Sequence, residues 1–171
     1  PASPFDPTYG MDLDRLLAIE PPTPPDGFAE FWRARRARAL AVDPAPKVSD
    51  PRRVGDVIVR DLAFGSTDGV TIGGWFVRPA EGPVTRGLVV GHGYGGREAP
   101  DLALAFPETA LLFPCLRGLS RSARPGMSSD PAWHVLHDVQ DRDRYVIGGC
   151  VDDAWLAVSA LLALEPRVAG R

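Results

Sequence analysis

The sequence has little of what would mark a secreted, membrane-spanning or nucleic-acid-binding protein. Its 171 residues include two cysteines, Cys115 and Cys150. These are too few for a disulfide-stapled framework, so both are expected as free, packed thiols in a reducing, cytoplasmic compartment. No stretch comes near the roughly 18 consecutive apolar residues of a membrane span. The opening Pro1-Ala2-Ser3-Pro4 has neither a charged n-region nor an apolar h-region, so no membrane partner and no signal peptide are expected. Charge of one sign is also lacking: 19 basic residues against 22 acidic ones give a net charge of −3. That balance excludes broad attraction to nucleic acid or anionic lipid and leaves a small molecule as the expected partner. Histidine is scarce, with only His92, His134 and His137 present.

What is there fits one domain, since a chain of this length can bury roughly 70% of its unfolded surface around a single core. Residues 1–27 are rich in proline, including Pro21-Pro22-Thr23-Pro24-Pro25, and read as an N-terminal arm lying on the surface of a domain that occupies 28–171. A short helix is expected within the arm from Asp12 to Ile19, where Leu13, Leu16 and Leu17 share a face. Asp26 can cap a second helix running through Arg38, with Phe28, Phe31 and Trp32 clustered and Arg33, Arg35, Arg36 and Arg38 on a solvated side.

From Asp56 the period changes to two. Val57, Val59, Asp61 and Ala63 alternate with Ile58, Arg60, Leu62 and Phe64, and Gly65-Ser66-Thr67-Asp68-Gly69 turns the chain into Val70 to Val77. Two antiparallel strands follow from that pattern. The later runs Gly87-Leu88-Val89-Val90 and Ala110-Leu111-Leu112-Phe113 are continuously apolar, as in a doubly covered parallel sheet, with a helix expected between them from Pro100 to Phe106. A right-handed crossover would make these strands parallel. Residues 117–138 read as irregular, and a helix is expected from about Asp141 to Leu164, broken near Gly148-Gly149.

Chemistry concentrates in Gly91-His92-Gly93-Tyr94-Gly95-Gly96. A glycine-rich turn leaving a strand frees backbone N–H groups to face one point, where they can hold a developing oxyanion. Each such donor is typically worth about 2.7 to 4 kcal/mol of transition-state stabilisation. The plainer alternative is a glycine turn with no chemical part. The turn also matches the dinucleotide pattern G-x-G-x-x-G, but Cys115 and Leu116 stand where the ribose-binding acid would be.

The loop His92-Gly93-Tyr94-Gly95-Gly96, Arg117-Gly118 after the next strand, and Phe31-Trp32 in the leading helix together resemble the acetyl xylan esterase and cephalosporin C deacetylase family, in order and spacing over residues 5–171. The resemblance implies an α/β-hydrolase fold, of which this chain is the N-terminal half: a mostly parallel sheet with antiparallel leading strands, incomplete without downstream residues. It implies a serine acyl-enzyme route for removing acetyl or other short acyl groups from a sugar or similar small alcohol. It makes the Tyr94 N–H one oxyanion donor, with His92, Gly93, Gly95, Gly96 and Arg117 supporting the site. It further implies a homo-oligomer. No cofactor and no metal are expected. The family's Arg-Gly-Gln is Arg117-Gly118-Leu119 here, and Leu119 cannot make a glutamine's hydrogen bonds.

A triad in the order Ser, Asp, His needs a Gly-x-Ser-x-Gly elbow and a histidine beyond it. The elbow strand is expected just after Val168-Ala169-Gly170-Arg171, and no histidine follows His137. The nucleophile is therefore expected beyond residue 171, this chain alone is expected to be inactive, and a C-terminal half or complementary chain is expected as its partner. A non-catalytic truncated, split or pseudoenzyme chain is the competing reading. Two internal motifs only half fit an elbow: Gly118-Leu119-Ser120-Arg121-Ser122 and Gly148-Gly149-Cys150-Val151-Asp152, each lacking the final glycine. His134 and His137, with Asp138, Asp141 and Asp143, match no zinc or calcium spacing and read as a polar surface segment near the site entrance.

Overall fold

The computed structural model describes residues 6–169. The expectations placed on Pro1 to Phe5 and on Gly170 and Arg171 lie outside the described residues. Two strands too short for alternation to register, β1 (Lys47–Val48) and β2 (Arg52–Val54), lie antiparallel on β3 (Val57–Gly65). The chain then turns through left-handed Asp68 (φ 60) and Gly69 (φ 68) into β4 (Thr71–Pro79). Strands β3 and β4 pair in unbroken register from Val57↔Pro79 to Gly65↔Thr71, as the period of two requires.

The two apolar runs form β5 (Arg86–Val89) and β6 (Thr109–Pro114), which pair parallel from Arg86↔Thr109 to Val89↔Leu112. The sheet order is β1-β3-β4-β6-β5, so β6 is internal and wholly buried while β5 is an edge with Leu88 43% exposed. The helix expected from Pro100 to Phe106 is absent; the segment contains only a 3-10 turn at Leu102–Leu104. Bracketed by Pro100 and Pro107, it is too short to overcome helix nucleation, and the Asp101 side chain takes the Ala103 N–H at 3.1 Å.

Helix α1 (Leu13–Leu17) is capped by Asp12, which accepts from the Arg15 N–H at 2.8 Å, yet it buries none of its side chains against the domain. Helix α2 (Phe28–Leu40) starts from left-handed Gly27 (φ 75) rather than from Asp26. Its Trp32 meets Trp155 edge-on, with ring centroids 6.2 Å apart. A four-residue helix, α3 (Pro131–His134), interrupts the stretch expected to be irregular and is capped by Asp130, which accepts from the Ala132 N–H at 2.9 Å.

Helix α4 (Val146–Leu164) departs from expectation at two points. It does not begin at Asp141, because Asp141 Oδ1 accepts from the N–H groups of Asp143 (2.9 Å) and Arg144 (3.2 Å) and holds a turn there. It also runs unbroken through Gly148 and Gly149. A Cβ at Gly148 would lie 2.7 Å from Arg35 Cζ, and one at Gly149 would lie 2.5 Å from Arg117 Nη1. The two glycines are notches for buried guanidinium groups rather than hinges.

Leu156, Ala157, Ala160 and Leu161 of α4 pack on Phe64, Ile72, Phe76 and Leu112 on one face of the sheet. Val59, Trp75, Val77, Leu111, Phe113 and Cys115 cluster on the other. With 19 residues and a mean hydropathy of 1.6, α4 is long and apolar enough to cross a membrane. Its buried apolar face and its paired Asp152 and Asp153 are those of a core helix.

Candidate active site

Because β5 and β6 are parallel neighbours, the segments that leave their C-terminal ends meet. Pairing continues one step past β5, where the Val90 N–H donates to Leu112 O at 2.9 Å, and the glycine turn then opens. At its start the Leu116 N–H donates to His92 Nε2 at 2.9 Å. The imidazole proton therefore sits on Nδ1, from which it is donated to Gly93 O at 2.7 Å. At its far end the Arg97 N–H donates to Ser120 Oγ at 2.8 Å. The Arg97 guanidinium donates to Gly91 O and lies over the Phe113 ring, 4.9 Å from its centroid. Gly96 is left-handed (φ +73), and any Cβ there would collide with Ser120 Oγ.

Between these anchors the Tyr94 amide belongs to no helix and makes no hydrogen bond to any described residue. Tyr94, His92 and Gly93 line an open, largely apolar cavity of about 380 Å³, whose wall continues with Leu119, Cys150 and Trp155. Gly95, exposed at the turn's crest, has open space where a Cβ would stand. The structure thus brings His92, Gly93, Tyr94, Gly95 and Gly96 into one turn, anchored at both ends and with free N–H groups at its centre. Such a turn can receive an anionic oxygen.

Arg117, the fifth supporting residue, lies behind the turn in a buried polar knot. Its Nη2 and Nε donate to Asp153 Oδ1 (2.7 Å) and Oδ2 (3.0 Å), and its own N–H donates to Oδ2 at 3.0 Å. The Ser66 hydroxyl adds a 2.5 Å bond to Asp153 Oδ1. Beside it Arg35 grips Asp152 through Nε (2.8 Å) and Nη2 (2.9 Å), while the Thr67 hydroxyl donates to Asp152 Oδ2 at 2.9 Å. Both aspartates are fully buried, and Arg35 and Arg117 are nearly so. Burial works to lower the Arg117 pKa, but the hydrogen bonds and charge of Asp153 outweigh it and the pKa is raised. The knot clips together α2, the β3–β4 hairpin, the segment after β6 and α4.

The sequence pattern puts Arg35 on a solvated helix face and Asp152 only at the failing end of a possible elbow, and gives no part to Asp153. The missed signal was the adjacent pair of acids inside an otherwise apolar helix. Charges in such a place must be paired, and only buried cations can pair them.

Neither half-fitting motif has the strand-to-helix geometry of a nucleophile elbow. Ser120 begins a 3-10 turn rather than a helix, and its oxygen is engaged by Arg97. Cys150 lies within α4, and burial, reinforced by the charge of Asp153, pushes its thiol up to about 12. Burial raises the Cys115 thiol as well. The histidine pair does not form the expected surface segment: His134 is buried and donates from Nε2 to Arg117 O at 2.9 Å, while His137 faces Asp138 at 3.8 Å. Among the described residues, no three His, Cys, Asp or Glu side chains group as metal ligands.

No protein-family model and no curated protein matches the chain. Solved structures do. Acetyl xylan esterase 1 from Thermoanaerobacterium sp. JW/SL YS485 superposes with a TM-score of 0.73 at 19% identity, over 93% of this chain and 53% of that one. The acetyl xylan esterase from Paenibacillus sp. R4 gives 0.71 at 22% identity, over 94% and 55%. The chain therefore spans about half the length of the structures it matches. This likeness is one of fold: the chain has the mixed-sheet α/β-hydrolase-like fold of about half of these structures.

Proposed function

We propose that the chain is the N-terminal half of a carboxylic-ester hydrolase that removes acetyl or other short acyl groups from a sugar or similar small alcohol. The serine nucleophile, with its aspartate and histidine, lies in polypeptide beyond residue 171, and the Tyr94 N–H supplies one oxyanion donor. The reaction is acyl transfer: serine attacks the carbonyl, the tetrahedral oxyanion is held by backbone N–H groups, and water releases the acid. His92 and Gly96 keep the turn in shape, and Arg117 keeps the segment after β6 against α4.

The observation that carries this reading is the glycine turn leaving β5, whose Tyr94 amide has no acceptor among the described residues and borders an apolar cavity. The unpaired side of β5 supports a complementary segment as partner. Leu88 is exposed there, and a hollow of about 500 Å³ runs between β5 and α4, lined by Gly87, Val89, Val158 and Leu161. Each backbone group left buried and unpaired would cost about 1 to 3 kcal/mol, so a strand added along β5 stabilises the whole. Assembly as a homo-oligomer belongs to the same proposal.

Hydrolysis of p-nitrophenyl acetate tests this directly. The chain extended by its downstream residues is expected to turn over, and the 171-residue chain alone is not. Turnover by the short chain would remove the downstream serine from the reading. The second reading, a non-catalytic chain, is favoured by the engaged Ser120 oxygen and the protonated Cys150 thiol, and inactivity of the extended protein would establish it.

A further inference from the structure

Among the described residues, Ser120 is the one polar side chain from outside the turn that accepts a backbone N–H from the turn's far end. It does so from a strained position. Its φ of 47 lies in the left-handed region, which is unfavourable for a non-glycine residue and persists only where surroundings impose it. Here they do: Ser120 O accepts from the Ala123 N–H at 3.1 Å, the Ser122 N–H donates to Leu119 O at 2.8 Å, and Ser122 Oγ is locked between Cys115 O and the Gly73 N–H. The segment after β6 is thus rigid, and the strain aims the Ser120 hydroxyl at Arg97 N, tightly against Gly96. Together with the Leu116–His92 bond at the near end, this leaves Gly93 to Gly95 strung between two fixed points.

We propose that Ser120 is a positioning residue, whose hydroxyl fixes the far end of the glycine turn and so holds the Tyr94 N–H where an oxyanion forms. The proposal rests on the esterase reading for its consequence but not for its geometry. A donor that must swing into place during the reaction stabilises less than one already set, so loosening this anchor lowers the rate of the chemical step and leaves ground-state binding alone.

The test uses the extended protein with Ser120→Gly, which accepts the left-handed backbone without strain but loses the oxygen, and Ser120→Ala, which loses the oxygen and keeps the strain. For p-nitrophenyl acetate, kcat is expected to fall about 10- to 100-fold, short of the roughly 10²- to 10³-fold loss of a whole donor, with KM unchanged. Both variants are expected to show the same fall although their melting temperatures differ. Amide exchange at Arg97, and at Gly96 whose N–H donates to Gly93 O at 3.1 Å, is expected to quicken at least fivefold, about the worth of one hydrogen bond. A kcat loss that follows melting temperature, or one matched by a rise in KM, overturns the proposal, as does unchanged exchange in the turn. If the unsubstituted protein proves inactive, the esterase reading fails while the exchange measurement still decides whether Ser120 anchors the turn.

Discussion

Two polar regions flank the end of β6, and they treat their hydrogen-bonding groups in opposite ways. In the knot of Arg35, Arg117, Asp152 and Asp153, both carboxylates are saturated and sealed from water. In the glycine turn the groups at the two ends are paired, while the Tyr94 N–H between them has no acceptor among the described residues. Saturated, buried polar clusters set geometry; unsatisfied donors at a cavity rim await something from outside. The contrast divides the molecule into a part that holds the fold and a part available for chemistry, and substitutions on either side sharpen or break that division.

The largest effect belongs to the knot. Asp153→Ala leaves the Arg117 guanidinium buried without its carboxylate, and breaking a buried pair on one side typically costs about 3 to 5 kcal/mol. In urea unfolding this is expected to remove much of the domain's stability. A loss below about 1 kcal/mol would mean that water or Asp68, 3.6 Å from Arg117 Nη1, takes over, and the knot would not be a fixed frame.

Cys150 sits between the two regions, on α4 beside the knot and on the cavity wall. With burial pushing its thiol from 9.0 up to about 12, its thiolate fraction at pH 8 falls roughly a thousandfold, and alkylation by iodoacetamide is expected to slow accordingly. The folded state holds the thiol proton more tightly than the unfolded state. This contribution to stability is therefore complete below about pH 9 and is lost as the pH rises toward 12. Rapid labelling of the native chain at pH 8 would show the cavity wall opening.

Gly149→Ala should reverse the usual rule. Alanine in a helix interior normally stabilises by about 1 kcal/mol over glycine. Here the new methyl meets Arg117 Nη1 at 2.5 Å and Cδ at 2.7 Å, and that guanidinium is pinned by Asp153, so overpacking of about 1 to 3 kcal/mol is expected in denaturant unfolding. Net stabilisation would show that the arginine has room to move.

The two regions also differ in how far the sequence betrays them. The β3–β4 hairpin, the apolar strands β5 and β6 and the glycine turn are local patterns of period or composition, readable residue by residue. The knot is assembled from Arg35, Ser66, Thr67, Arg117, Asp152 and Asp153, with directly bonded partners up to 117 positions apart, so no window contains it. Gly148-Gly149 misled for the same reason: locally the pair reads as a break, and only the distant arginines show it to be a notch. The crossover helix failed differently, because Pro100 to Phe106 has helical composition but lies between prolines and too near the nucleation limit.

The smallest expected effect completes the contrast. Gly93 has open space where a Cβ would stand, and the same holds for Gly95. Neither has the left-handed backbone that Gly96 shows, so alanine meets neither clash nor strain. Gly93→Ala is therefore expected to change unfolding stability by no more than about 0.5 kcal/mol, against several for a residue of the knot. If these glycines served the fold, their replacement would register in denaturant; if they serve access to the turn's amides, it will not. A clear loss of stability in Gly93→Ala would place the turn with the frame, and its unpaired amides would then need a structural explanation.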